Sequence, residues 1–454
     1  METFATARQL LAALAAKEIS ARELLDEHLA RIAERNGDIN AIVSLDEERA
    51  REGAAEADRR IANGDHAPLL GLPFAFKDTH EVAGWRTTYG SRVMKDYVPT
   101  HDELIVERIR KAGVVVIGKT NTPEFAAGSH TFNEVFGTTR NPHDLTRSAG
   151  GSSGGAAAAL ASGMVPLAEG SDMGGSLRNP ASFCGVVGLR PTLHRVPEWP
   201  QFNAWETLAT GGPMARNVDD LALLLSVISG PDPRVPNALP AYVDEPLSGT
   251  LEGLRVAVST DLGGAFAVDT EVADVVRAAA SYFPNAVEAH PDLREAEDTF
   301  RTLRAWHFHS VLGKTLAKHP ELFKQSLADN IRAGESLTGA DVARGYHQRT
   351  NLAHRMVRFF EEYDVLVLPT SQVAPFPAEQ EYPTTVGGQP MATYLDWMRS
   401  AYFITVTGCP AISVPAGRTP DGLPVGVQLV APHNQERRLL EIAAAFEAAV
   451  AQAA

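Results

Sequence analysis

GGSSGGAAAALASGMVPLAEGSDMGGSLRNPASFCGVVGLRPT, residues 150–192, carries two serines on glycine turns, Ser152 and Ser176, 24 positions apart. Four glycines surround Ser152 and Ser153, and the alanine run behind them reads as a helix of small side chains that packs tightly. Taken alone, this is also the pattern of a flexible glycine–serine loop leading into such a helix. The second serine stands in GSDMGGSLRNPASFC (170–184), directly after two glycines and two places before Arg178. A serine on a glycine turn has the placement of a nucleophile, yet its hydroxyl is weak at neutral pH without a base. No histidine lies near it in the chain.

The segment LPFAFKD (72–78) supplies another base, Lys77, at the end of an apolar run. Burial behind Phe74, Ala75 and Phe76 lowers an ammonium pKa from its ordinary value of about 10.4 toward neutrality, where the amine accepts a proton. One flexible amine does not easily reach both the nucleophile and the leaving group. The hydroxyl of Ser152, able to donate and accept, completes the relay in the manner of serine–lysine hydrolases.

These residues carry a resemblance. The stretch 150–192 resembles the signature segment of the amidase signature family of amide hydrolases. GLPFAFKDTHEVAG (71–84) is similar to its lysine segment, GKTNTPEFAAGSHTFNEVFGTTRNP (118–142) to the stretch between, and GCPAISVPAG with DGLPVGVQLVAP (408–432) to its C-terminal part. The likeness is weakest over 193–250 and 284–360. It implies Ser176 as nucleophile, Ser152 as the bridging serine on a cis peptide, and Lys77 as base. It also implies an oxyanion hole built on the segment Met173, Gly174, Gly175 and Ser176, substrate contacts at Gly128 and Ser129, and support of the loop by Asp172 and Arg178. Leu177 stands where isoleucine is usual and Arg190 where lysine is usual; neither is expected to touch the chemistry. No metal and no organic cofactor are implied.

The implied fold is α/β, a single α/β/α domain over 1–454 whose central mixed sheet of about a dozen strands is covered by helices on both faces. Within it, 1–65 forms N-terminal helices, 66–195 the catalytic core and 284–400 a variable pocket region. The pattern outside the signature agrees. Ser20 and Glu23 form a capping box ahead of an apolar helical face, Leu24, Leu25, His28, Leu29 and Ile32. LRVAVST (254–260), DVLVLPT (364–370) and VGVQLVA (425–431) read as strands, 269–283 and 435–450 as helices, and VAPFPAEQEYP (373–383) as a loop.

Other motifs mislead. GVVVIGKT (113–120) matches a phosphate-binding loop by letters, but its β-branched residues form a strand and spend their N–H groups in a sheet. DLGGAF (261–266) is a turn with alanine in the nucleophile position, HFH (307–309) lacks metal-ligand spacing, and no G-x-S-x-G elbow occurs. With 41 basic against 56 acidic residues, the net charge of −15 argues against nucleic acid as partner. The N-terminus lacks the form of a secretory signal, no apolar run reaches the length of a membrane span, and Cys184 and Cys409 are the only cysteines. We expect a cytoplasmic monomer or homodimer with a small-molecule amide or carbamate as its partner. Trp199, Phe202, Trp205, Tyr394, Trp397 and Tyr402 offer aromatic surface for an aryl or apolar acyl amide, several of them being equally suited to the core, with urethane and ester cleavage open to the same machinery. The alternative is the glutamine-hydrolysing component of a tRNA-dependent amidotransferase.

Overall fold

The computed structural model describes residues 3–453. It opens with the helices Ala7–Ala15 and Ala21–Ile39. Ser20 and Glu23 take each other's backbone N–H at the start of the second, the reciprocal cap that their spacing predicts. The apolar face predicted there, including His28, is buried.

Ile42–Leu45, Val115–Thr120 and Pro73–Lys77 form a three-stranded sheet with Val115–Thr120 in the middle, antiparallel to the first strand and parallel to the last. The middle strand is the stretch that imitates a phosphate-binding loop. It is paired on both sides, as its β-branched run requires.

An eight-stranded mixed sheet runs in the order Ala286–Glu288, Val256–Val258, Val365–Pro369, Pro424–Val430, Ala411–Arg418, Val187–Arg190, Thr210–Ala215, Leu167–Asp172. The first three strands are parallel and the others pair antiparallel. Val365 and Val367 enter one core while Leu366 and Leu368 enter the other. A strand buried on both faces needs apolar residues at every position, hence the unbroken run VLVL in the sequence. The first core is closed by the helices Ala21–Ile39, Val218–Ile228 and Glu436–Ala453, the second by Ala296–Lys318, Gly339–Glu362 and Arg399–Thr407.

The sheet of about a dozen strands is thus divided into eight and three. The edge strands Pro73–Lys77 and Leu167–Asp172 pack together without a backbone ladder, and across this seam the Lys77 N–H donates to Glu169 Oε1 at 2.7 Å. The helix Gly154–Ala161 packs at this seam against both sheets. Its small residues are a steric requirement: a Cβ on Gly155 would stand 2.3 Å from the Asn121 nitrogen and 2.7 Å from the Ala41 oxygen. Residues 261–266 form a turn, and His307 and His309 lie on the helix Ala296–Lys318. Among the described residues there is no cluster of three or more histidine, cysteine or acidic side chains placed to hold a metal, and no helix long and apolar enough to cross a membrane. Cys184 and Cys409 are buried and unbridged.

Candidate active site

Lys77 ends its strand at the seam, fully buried. Its Nζ lies 2.7 Å from Ser152 Oγ, 3.0 Å from Ser153 Oγ and 3.1 Å from Ser171 Oγ. Three hydroxyls suit both protonation states: each accepts from an ammonium, and one can turn to donate to a neutral amine. Burial pushes the Lys77 pKa down to about 7, against the opposing pull of Glu169 and Asp172. The Gly151–Ser152 peptide bond is cis. Ser153 N donates to the Ser176 carbonyl at 3.1 Å, which ties the two serine turns together. Ser176 itself is 8% exposed, and Ser152 is 1% exposed.

The turn before Ser176 is built on Asp172. Its carboxylate accepts from Gly175 N at 2.9 Å and Leu177 N at 3.2 Å, and is forked by Arg178 Nε and Nη2, both at 3.0 Å. Burial alone would raise this carboxyl, but Arg178 and Arg190 hold it below the usual carboxylate range. Arg178 is anchored in turn by the Ala401 carbonyl, Gln428 and Thr405. Gly175 sits at φ +104°, and a Cβ there would stand 2.5 Å from Ala401 Cβ, so the turn admits only glycine. The Gly175 N–H, expected among the oxyanion donors, is instead taken by Asp172 at 2.9 Å, so this residue contributes backbone shape to the turn.

Several placements differ from the expectation or were not foreseen. Arg190, expected not to touch the chemistry, is buried and supports the loop from behind, donating to the Asp172 carbonyl as well as to the Leu208 carbonyl at 2.8 Å. The Ser129 hydroxyl donates to the Gly151 carbonyl at 2.7 Å and accepts from Asn179 Nδ2 at 2.9 Å, so it braces the loop of Ser152. Gly128 has φ +127° and faces Lys324. Glu169, unforeseen, alternates with Ser171 along one strand, so that both reach Lys77. Its other oxygen lies 3.0 Å from His80 Nε2, and His80 Nδ1 lies 2.7 Å from Glu103. Burial disfavours a charged His80, but Glu169 and Glu103 outweigh it and push the pKa up to about 10. Lys119, the lysine of the misleading motif, donates to the His80 carbonyl at 2.5 Å and Thr87 Oγ1 at 3.0 Å, fixing the segment after Lys77. The legible signal was a lone glutamate within the apolar strand PLAEGSD.

A cavity of about 290 Å³ reaches this cluster through Ser171 and is lined by Tyr89, Phe125, Trp199, Phe308 and Leu312. Of the six aromatics expected to form the pocket, Trp199 lines this cavity. Trp397 and Tyr402 are fully buried in the core, where Trp397 stacks on Phe183 and Tyr402 on Phe300. Phe202 and Trp205 are 76% and 64% exposed. The aromatic walls come instead from the 89–125 segment and the helix Ala296–Lys318, which composition alone does not bring together.

A family model described as Amidase matches residues 23–440. The chain is 38% identical over 458 residues to an acylamidase of Rhodococcus erythropolis, covering 98% of this chain and 95% of that protein. It is 36% identical over 465 residues to a glutamyl-tRNA(Gln) amidotransferase subunit of Synechococcus sp. (strain CC9605), covering 95% and 94%. Among solved structures it matches a bacterial aryl acylamidase of the amidase signature family with a TM-score of 0.92 and 29% identity, covering 98% of this chain and 96% of that one. The fold and these relatives define an amidase of mixed α/β architecture that acts on small amides. The chain belongs to the amidase signature family.

Proposed function

We propose that Ser176 is the nucleophile of an acyl transfer to water, with Lys77 as base acting through Ser152. The observation that carries this reading is the buried Lys77 Nζ, 2.7 Å from Ser152 Oγ and with a pKa near neutrality. Ser176 Oγ attacks the carbonyl carbon while its proton passes to Ser152 and that of Ser152 to Lys77. The backbone N–H groups of Met173, Gly174 and Ser176 receive the oxyanion, each worth about 3–4 kcal/mol in the transition state. The C–N bond then breaks, and the Lys77 proton returns through Ser152 to the departing amine. Water, activated by the same relay, cleaves the acyl-enzyme. The substrate is a small amide with an aryl or apolar group in the cavity beside Ser171; carbamates and esters present the same carbonyl to the same donors.

A second reading, hydrolysis of glutamine to supply ammonia, draws on the similarity to the amidotransferase relative. A fluorophosphonate probe with mass spectrometry, followed by a panel of anilides, aliphatic amides, carbamates, esters and glutamine, tests both. An adduct on Ser176 that is lost in Ser176→Ala is the expected result. An adduct elsewhere overturns the nucleophile, and ammonia release from glutamine in preference to every anilide favours the second reading.

A further inference from the structure

Two carboxylates face the two ring nitrogens of His80. Glu103 Oε2 lies 2.7 Å from Nδ1, and Glu169 Oε2 lies 3.0 Å from Nε2. A neutral imidazole carries one N–H and one lone pair, so either tautomer would turn a lone pair against a carboxylate. Only the imidazolium gives both sides a proton. Burial disfavours that charge, and Glu169 and Glu103 together outweigh it. His80 is 7% exposed, and its backbone N–H donates to the Lys77 carbonyl at 2.9 Å, which holds the residue on the turn that follows the base. The other charged groups nearby have partners of their own. Lys119 Nζ serves the His80 carbonyl and stands 3.9 Å from Asp78, and Glu81 accepts from the Tyr89 hydroxyl at 2.8 Å. Glu198, on the wall of the same cavity, accepts from Gly211 N at 2.8 Å and Gln201 Nε2 at 2.7 Å.

Glu169 is the shared neighbour of His80 and the base. It is fully buried; one oxygen takes the Lys77 N–H at 2.7 Å and the other faces His80. Burial raises its carboxyl, and the charge of His80, ahead of that of Lys77, holds it down. Glu169 is in turn the leading charge that favours an ammonium at Lys77. A buried carboxylate left without another cation would keep Lys77 as its counter-ion, because an uncompensated buried charge is costly. An ammonium held that way has no lone pair with which to take the Ser152 proton.

We propose that His80 is a positioning residue for the base: an imidazolium held by Glu103, it supplies the counter-charge of Glu169 and thereby leaves Lys77 free to stand as a neutral amine. The inference rests on Lys77 being the base and adds what makes it one. Taking the cation out of this chain strengthens the pull of Glu169 on a proton at Lys77, so the base is lost first at the pH where it is needed.

The test is the pH dependence of kcat/KM, on the best amide of the substrate panel, in His80→Gln and His80→Asn, whose amides each replace one ring N–H without its charge. We expect the rising limb to move up by about one pH unit in both, a loss of about fivefold at pH 7 that vanishes on the plateau above pH 9. A purely structural role would lower the rate at every pH. In a Glu169→Gln background the same substitutions should leave the limb in place, since the carboxylate that transmits the effect is gone. The wild-type limb should follow a single proton between pH 5 and 9, a readout that stands if the His80 variants fail to fold; a limb of two protons means that His80 titrates with Lys77. A two-proton limb, a limb unmoved or moved down in the folded variants, or an equal upward shift without Glu169 overturns the proposal. Lys77→Met keeps the failures apart. A rising limb that survives there refutes the base itself, whereas its loss beside an unmoved limb in His80→Gln refutes only the role of His80.

Discussion

If neutral Lys77 is the base, kcat/KM must follow its deprotonation in the free enzyme. Burial moves this group from 10.5 to about 7, so keeping the ammonium charged in place would cost roughly 5 kcal/mol, at ~1.4 kcal/mol per pH unit. With a pKa near 7, about a tenth of the enzyme carries the neutral amine at pH 6 and about nine tenths at pH 8. The rate on an anilide should therefore rise by close to tenfold between those values and level off above. Lys77→Met should lose about 10²–10⁴-fold and the rising limb with it. The loss should be larger on amides than on matched esters, since an amine leaves only with a proton. Stability carries the same signature. Between about pH 7 and 10.5 the unfolded chain keeps a proton on Lys77 that the folded one has released. This group's contribution to stability therefore rises with pH across that window, and Lys77→Met removes it. Initial rates across pH 5 to 9 under acylation-limited conditions, with urea melts at matched pH, check both. A flat wild-type profile, or a rising limb that survives in Lys77→Met, refutes the reasoning.

Two further expectations concern the residues around the base and the turn. Glu169 is the leading charge opposing burial at Lys77, so Glu169→Gln should move the rising limb to lower pH; a limb that stays or moves up removes it as a positioning residue. Arg178→Met should cost about 3–5 kcal/mol by leaving Asp172 buried with Arg190 as its remaining cation. Asp172 then titrates at higher pH, so the acid loss of stability, which lies below the ordinary carboxylate range in the wild type, should begin earlier in the variant's melts. Wild-type melting in that variant would contradict the burial of the pair as a source of stability.

The chain's linear order already determined a good deal. Strands buried on both faces announce themselves as unbroken apolar runs, so VLVL at 365–368 and the β-branched strand at 115–117 were legible, and the latter excluded a phosphate loop despite its letters. The capping box at Ser20 is a local geometry spelled by two residues. The glycine turn at 174–175 and the small-residue helix after Ser153 were readable because backbone shape and close approach select glycine and alanine almost by themselves.

What only the tertiary structure decided depends on residues distant in sequence meeting at a seam. Whether Lys77 is buried enough to lose its proton depends on Ser152, Ser153, Ser171 and Glu169 arriving from other segments, because desolvation is set by all neighbours at once. That Arg190 supports the Asp172 carbonyl is likewise a tertiary fact, because nothing local in the sequence says where its guanidinium reaches. The aromatic residues show the same limit: Trp397 and Phe308 look alike along the chain, yet one fills the core and the other walls the cavity. A side chain's type records what it can bury or bind, and only the packing of helices from both halves of the chain determines which of these it does.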